Sequence, residues 1–416
     1  MKAFDRHCSG VLALVAIALF ALMPTGALRG DALPDAPDIR SRAAVLLDAA
    51  TGTILYEKGA DLPIPPASLT KLVTMHVALE DVAAGRASLD DRVALPRSTW
   101  AVNQGWGSSL MFLAPGQKVT LRELLLGLAV SSGNDAAIAV ALHLAPSVEA
   151  FAQRMNGAVE ALGLRSTSFV EPSGYSEDNM TTAREFAQFC AFYLKRHPEV
   201  LLEYHSVREF SYPKPENLPE TFRDRPGTVV QYNRNLLLDE AEGVDGLKTG
   251  FIIESGYNIA LTAQRDGTRF IAVLLGGPGS GSAQGGRFRA QDGGGLLDWA
   301  FERYRTIRPE LRHLDPVRVW KGSASLVDLV PTEALEFTVD RNRARQIFTR
   351  VEREAYVSAP IQEGRILGTL IFSDAEGDLR RVPLAAVRPV DRGNFLIRAI
   401  DSVRLFFLRL TDRLFN

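Results

Sequence analysis

The stretch Pro65-Pro66-Ala67-Ser68-Leu69-Thr70-Lys71-Leu72-Val73-Thr74-Met75 decides how the chain is read. Leu72, Met75 and Leu79 recur at helical spacing, so a helix is predicted to open at Ser68. At a helix start, free backbone N–H groups and the helix dipole favour a developing negative charge. Lys71 lies three positions on and shares the face of Ser68, with about 5–6 Å between their Cβ atoms. An amine so placed can take the serine proton, provided burial and nearby positive charge lower its pKa toward neutrality.

Two further motifs follow in order. Ser132-Gly133-Asn134 ends the apolar helical run 124–130 in a polar turn. A hydroxyl and a carboxamide there can relay a proton to a leaving group and hydrogen-bond a substrate amide. Lys248-Thr249-Gly250 ends an apolar strand that begins near Val244. Lys248 supplies a cation, Thr249 a hydroxyl, and Gly250 leaves room for a substrate backbone along the strand edge. This combination suits a substrate ending in a free carboxylate.

The surroundings indicate an α/β architecture. Residues 45–47 and 53–56 flank Thr51-Gly52 as a β-hairpin, and helical patterns dominate from about 68 to 194. Strands return between 244 and 277, with Asp266-Gly267 placed for a hairpin turn between 257–263 and 270–275. Strands from both ends with helices between them predict one antiparallel sheet flanked by helices. A Gly-rich loop over 276–286 is expected before a closing helix at 295–301. Beyond about residue 308, short alternating runs predict a small, all-β, sandwich-like domain over 308–392, leaving 35–307 as the catalytic domain. In residues 393–416, Leu396, Ile400, Val403, Phe407, Leu410 and Leu414 form one helical stripe, with arginines elsewhere on the helix. That pattern predicts an amphipathic helix lying on a membrane surface, and Leu405, Phe406 and Phe415 would widen its apolar face.

The chain has 416 residues, enough for more than one core, and its net charge of −2 offers no surplus for neutralising nucleic acid. Lys2 and Arg6 followed by the apolar run 11–23 read as an export signal over 1–32, cleaved after Ala27 or Ala32. Cys8 falls in that signal, which leaves Cys190 without a disulfide partner, as a small buried hydrophobe. The six histidines lack a His-Glu-x-x-His spacing, so neither a metal nor a cofactor is expected, and His76 is read as a structural neighbour.

The strings around the three motifs, PASLTKLVT, SSGNDAAIAVA and VDGLKTGF, resemble the low-molecular-mass penicillin-binding proteins, the serine-type D-alanyl-D-alanine carboxypeptidases of peptidase type S11. The resemblance implies a β-lactamase/penicillin-binding-type fold. Ser68 would attack the bond between the terminal D-alanines of a peptidoglycan stem peptide, with Lys71 as base and Ser132 assisting proton transfer. Asn134, Lys248, Thr249 and Gly250 would bind substrate, and the backbone N–H groups of Ser68 and Phe251 would hold the oxyanion. β-Lactam antibiotics would acylate the same serine. The implied location is the periplasmic face of the cytoplasmic membrane, with the protein peripherally attached. Two departures from the family stand out: Ile252 replaces a usual hydroxyl residue, and Glu171-Pro172-Ser173-Gly174 replaces a usual Asn-Pro-His-Gly. A deacylating role for Glu171, a β-lactamase and an inactive wall-binding protein are the alternatives.

Overall fold

The computed structural model describes residues 35–224, 227–311 and 313–415; the export signal expected over 1–32 lies outside them. Its centre is a five-stranded antiparallel sheet built from β1 (Ala43–Asp48), β2 (Ile54–Lys58), β3 (Val244–Ile252), β4 (Gly256–Arg265) and β5 (Thr268–Gly277), in the order β2-β1-β5-β4-β3. The predicted early hairpin is therefore zipped onto strands from the far end of the region, Leu46 opposite Ala272. In the β4–β5 hairpin, Asp266 and Gly267 take φ of 48° and 75°, as a two-residue turn between right-twisted strands requires.

Every residue of β1 is buried because both faces of the sheet are covered. Ala43, Val45 and Leu47 join a core with helices α1 (Thr70–Ala83), α2 (Asn134–Leu144) and α3 (Ala183–Arg196). Ala44 and Leu46 join a second core with Leu296, Leu297 and Trp299 of α4 (Ser282–Arg303). The period-2 alternation of a strand thus divides its side chains between two helical layers.

Helix α4 begins at Ser282, inside the stretch expected to be loop. Glycine lowers helix propensity, which is why the sequence read as a loop. The packing requires it nonetheless: a Cβ on Gly285 would lie 2.1 Å from the Tyr257 ring, and one on Gly293 would lie 2.3 Å from Leu261. These glycines bring the helix backbone against β4.

From α4 the chain enters the strand Tyr304–Ile307, which pairs antiparallel with Phe337–Asp340. A four-stranded sheet, containing the hairpin Ile366–Asp374 and Gly377–Ala386, and a three-stranded sheet enclose a third core that includes Val319, Val357, Leu370, Phe372 and Leu384. Asp48 joins this region to the first hairpin. One carboxylate oxygen accepts from Ala50 N at 2.8 Å and Thr51 N at 3.2 Å; the other accepts from the hydroxyls of Thr306 at 2.5 Å and Thr338 at 2.9 Å.

Helix α5 (Phe395–Phe415) closes the described chain. It seats on the β region through Leu405, which is buried rather than widening the exposed face, and through Asp401, which accepts from Lys321 N at 2.7 Å. Leu396, Ile400, Val403, Phe407 and Leu410 of the predicted stripe are exposed. The Leu414 side chain lies outside the described ones.

Replacing Asp48 by alanine takes the acceptor away from the buried Thr306 hydroxyl, the half-buried Thr338 hydroxyl and two turn amides, so Asp48→Ala is expected to cost on the order of 2 kcal/mol in denaturant-monitored unfolding. Helix propensity alone predicts that Gly→Ala within α4 stabilises by about 1 kcal/mol. Gly295→Ala, whose Cβ would meet nothing within 4 Å, should follow that rule, whereas Gly285→Ala should lower the melting temperature.

Candidate active site

Ser68 lies in the short turn Ala67–Leu69 that feeds α1. Ala67 takes a φ of 51°, a left-handed conformation that an alanine holds only under tertiary constraint. The constraint comes from two glycines. A Cβ on Gly174, itself at φ 76°, would approach the Ala67 carbonyl oxygen to 1.8 Å, and one on Gly250 would approach that of Pro66 to 2.9 Å. The missing Cβ at Gly250 is thus what lets residues 66–68 lie against β3.

Lys71 has no solvent exposure. Its Nζ donates to Ser68 Oγ at 3.0 Å, to Asn134 Oδ1 at 2.8 Å and to the Ser173 carbonyl at 2.5 Å. Its pKa is lowered to about 7, chiefly by burial with the Arg234 charge adding to it, against the upward pull of Glu171 and Asp135. The neutral amine has a lone pair, so in that state the Ser68 hydroxyl becomes the donor to Nζ.

The Ser173 carbonyl is aimed by Glu171. One Glu171 oxygen accepts from Ser173 N at 2.7 Å and Ser173 Oγ at 2.5 Å; the other accepts from Gly174 N at 2.6 Å and Asn179 Nδ2 at 2.9 Å. Asn134 donates from Nδ2 to Ser108 Oγ at 3.3 Å. Next to it, buried Asp135 accepts from Met111 N at 2.8 Å and Leu113 N at 3.0 Å, fastening residues 111–113 to the start of α2. Burial raises the Asp135 pKa, and these N–H donors counter that rise.

Ser132 closes the π-helical turn Gly127–Ser131 in a left-handed conformation, φ 60° and ψ 32°, and is buried. Among the described residues its hydroxyl makes no hydrogen bond to the Lys71 network. The third motif is buried on β3, with Lys248 Nζ donating to the Thr249 carbonyl at 3.0 Å. Burial depresses the Lys248 pKa strongly, and repulsion from Lys71, Arg234 and Arg289 adds to it. Arg289 of α4 donates to the Gly250 carbonyl at 3.2 Å, and burial lowers its pKa to about 10; Arg234 donates to Ser109 Oγ at 2.9 Å. Two of these cations, Lys248 and Arg289, are buried, where a charge interacts more strongly than it does in water.

A cleft of about 520 Å³ opens onto this cluster, lined by Ser68, Asn134, Trp106, Tyr175, Phe251 and Ile252 among others. Phe251 packs on Tyr257 with ring centroids 4.4 Å apart, and the Tyr175 hydroxyl donates to the Trp106 carbonyl at 3.2 Å. Ile252 gives the mouth an apolar wall where a hydroxyl was expected from the resemblance. Sequence reasoning missed Arg234, Arg289, Asp135 and Trp106. None belongs to a recognisable spacing, and Arg289 stood between the expected loop and the expected helix. Cys190 is buried as expected, its thiol pKa pushed up by burial.

The profile of the peptidase S11 D-alanyl-D-alanine carboxypeptidases matches residues 31–279, and that of the penicillin-binding protein 5 C-terminal domain matches 312–392. The D-alanyl-D-alanine carboxypeptidase DacC of Escherichia coli K12 is 34% identical over 400 residues, covering 94% of each chain. DacF of Bacillus subtilis is 30% identical, over 86% of this chain and 87% of its own. The crystal structure of penicillin-binding protein 5 from Haemophilus influenzae superposes with a TM-score of 0.75 at 28% identity, covering 86% of this chain and all of the other. With the serine–lysine cluster, the cations grouped near it and both matched regions in one polypeptide, the chain belongs to the peptidase S11 family of D-alanyl-D-alanine carboxypeptidases.

Proposed function

We propose that this protein removes the terminal D-alanine from peptidoglycan stem peptides, with Ser68 as nucleophile and Lys71 as its base. The observation that carries the reading is a wholly buried amine 3.0 Å from the serine oxygen, with its pKa brought to about 7. Ser68 Oγ attacks the carbonyl carbon of the D-Ala-D-Ala bond while its proton passes to Lys71 Nζ. The proton then goes to the departing nitrogen, with Ser132 assisting; the C–N bond breaks and D-alanine leaves. Water attacks the resulting ester and restores Ser68. Lys248, Thr249 and Arg234 receive the terminal carboxylate, Asn134 holds the peptide, and the N–H groups of Ser68 and Phe251 stabilise the oxyanion.

β-Lactams acylate the same serine in this reading, and their release is slow. A β-lactamase of the kind that uses a glutamate to activate water needs that carboxylate free. Here both oxygens of Glu171 are occupied by their own loop.

The protein is further proposed to act outside the cytoplasmic membrane, attached peripherally through residues 393–416. Among the described residues no single helix is long and apolar enough to cross a bilayer, and the apolar stripe of α5 faces away from the β region.

Mass spectrometry of a diacetylated tripeptide ending in D-Ala-D-Ala tests the chemistry. Wild type should release D-alanine, and Ser68→Ala or Lys71→Ala should lower the rate by on the order of a thousandfold or more. Equal release by Ser68→Ala would refute the mechanism. Because the neutral form of Lys71 is the base, acylation of Ser68 by fluorescent penicillin should rise with pH through about 7 and level off above it. Glu171→Gln removes a charge that favours the ammonium and should shift this midpoint to lower pH; Arg234→Ala should shift it higher. Removal of residues 393–416 should abolish co-sedimentation of the signal-less chain with anionic vesicles while leaving peptide hydrolysis intact; continued pelleting would contradict the attachment.

A further inference from the structure

On the flank of α1, away from Ser68, three side chains from two helices converge. His76 and Glu80 stand one turn apart on α1, and His197 stands just past the end of α3. His76 Nδ1 is 3.0 Å from His197 Nε2, which is 3.4 Å from Glu80 Oε1. One donor atom from each residue lies within 4.8 Å of the other two. We propose that His76, Glu80 and His197 form a binding site for a transition-metal dication of the zinc class.

The donor set of two imidazole nitrogens and one carboxylate oxygen is suited to zinc and leaves a fourth position for water. Tetrahedral zinc with Zn–N of about 2.0–2.1 Å places its ligand atoms about 3.3–3.4 Å apart, so the two rings need to part by only a few tenths of an ångström. Both histidines are buried and Glu80 is a third exposed, so the open position faces solvent along the carboxylate. The ring orientations are already fixed: Phe189, Phe192 and Tyr193 pack edge-on against His76, with centroids 5.9, 5.4 and 6.5 Å away. A second carboxylate stands behind the site, Glu199 Oε1 lying 3.9 Å from His197 Nδ1. That is where a metal-bound imidazole places its remaining N–H, and a carboxylate partner there strengthens the ligand.

Binding requires two rearrangements. The hydrogen shared between the imidazoles leaves their line of contact, and the remaining N–H groups move to His76 Nε2 and His197 Nδ1, with no net proton change. Arg196, which holds both Glu80 oxygens at 2.7 and 3.1 Å, must release at least one. This arginine is half exposed and can swing into solvent. A bound metal would then tie α1, the helix that carries Lys71, to the end of α3.

The test is calorimetric titration of the untagged, signal-less chain with Zn²⁺, together with Co²⁺ absorption as a report of coordination number. Wild type should bind one equivalent of Zn²⁺, give the intense visible bands of four-coordinate Co²⁺, and melt at a higher temperature with Zn²⁺ than without it. His197→Gln and Glu80→Gln should each weaken binding by at least about tenfold and abolish the thermal shift. Arg196→Ala, which frees Glu80, should tighten it. Retained penicillin labelling of Ser68 verifies that each variant is folded. Absence of a stoichiometric site, or affinity unchanged in both His197→Gln and Glu80→Gln, would overturn the proposal.

Discussion

The removal of one lysine amine from water governs the site. An ammonium held without solvent is costly unless its three hydrogens find acceptors, and Lys71 finds them on Ser68, Asn134 and Ser173. Those acceptors come from three separate segments, so α1, the start of α2 and the loop at 171–176 must meet within hydrogen-bond distance. Glu171 exists in that loop to aim a carbonyl and to moderate the amine's charge through space. The left-handed Ala67 and the glycines pressed against it are consequences of the same crowding.

The balance of charge around the amine is as important as its burial. Burial and Arg234 push its proton affinity down, whereas Glu171 and Asp135 raise it. The result lies near neutrality rather than at either extreme, which is where a base that must also return its proton works best.

What was legible in the sequence was local. Ser68 and Lys71 are three residues apart on a helix, the stripe of α5 repeats every three or four residues, and the Asp266-Gly267 turn is set by two φ angles. Each can be read without knowing the rest of the chain. Arg234 and Arg289 carry no such period, and Arg289 reaches the Gly250 carbonyl of β3 only because α4 packs across the sheet. The glycines of α4 were misread because propensity speaks for the isolated helix, whereas Tyr257 and Leu261 decide the packed one. The seating of α5 through Asp401 and Leu405 was likewise hidden, since it depends on where Lys321 lies.

The Asp48 carboxylate has a consequence for how such a protein can be divided. It belongs to β1, yet two of its four donors come from the strands Tyr304–Ile307 and Phe337–Asp340. A β region transplanted from a relative would have to bring hydroxyls at the positions of Thr306 and Thr338, or bury a bare charge against its new neighbour. The two parts are therefore not freely exchangeable cassettes. Recombination between family members is constrained by one acidic side chain at the seam, far from the serine on which selection for catalysis acts.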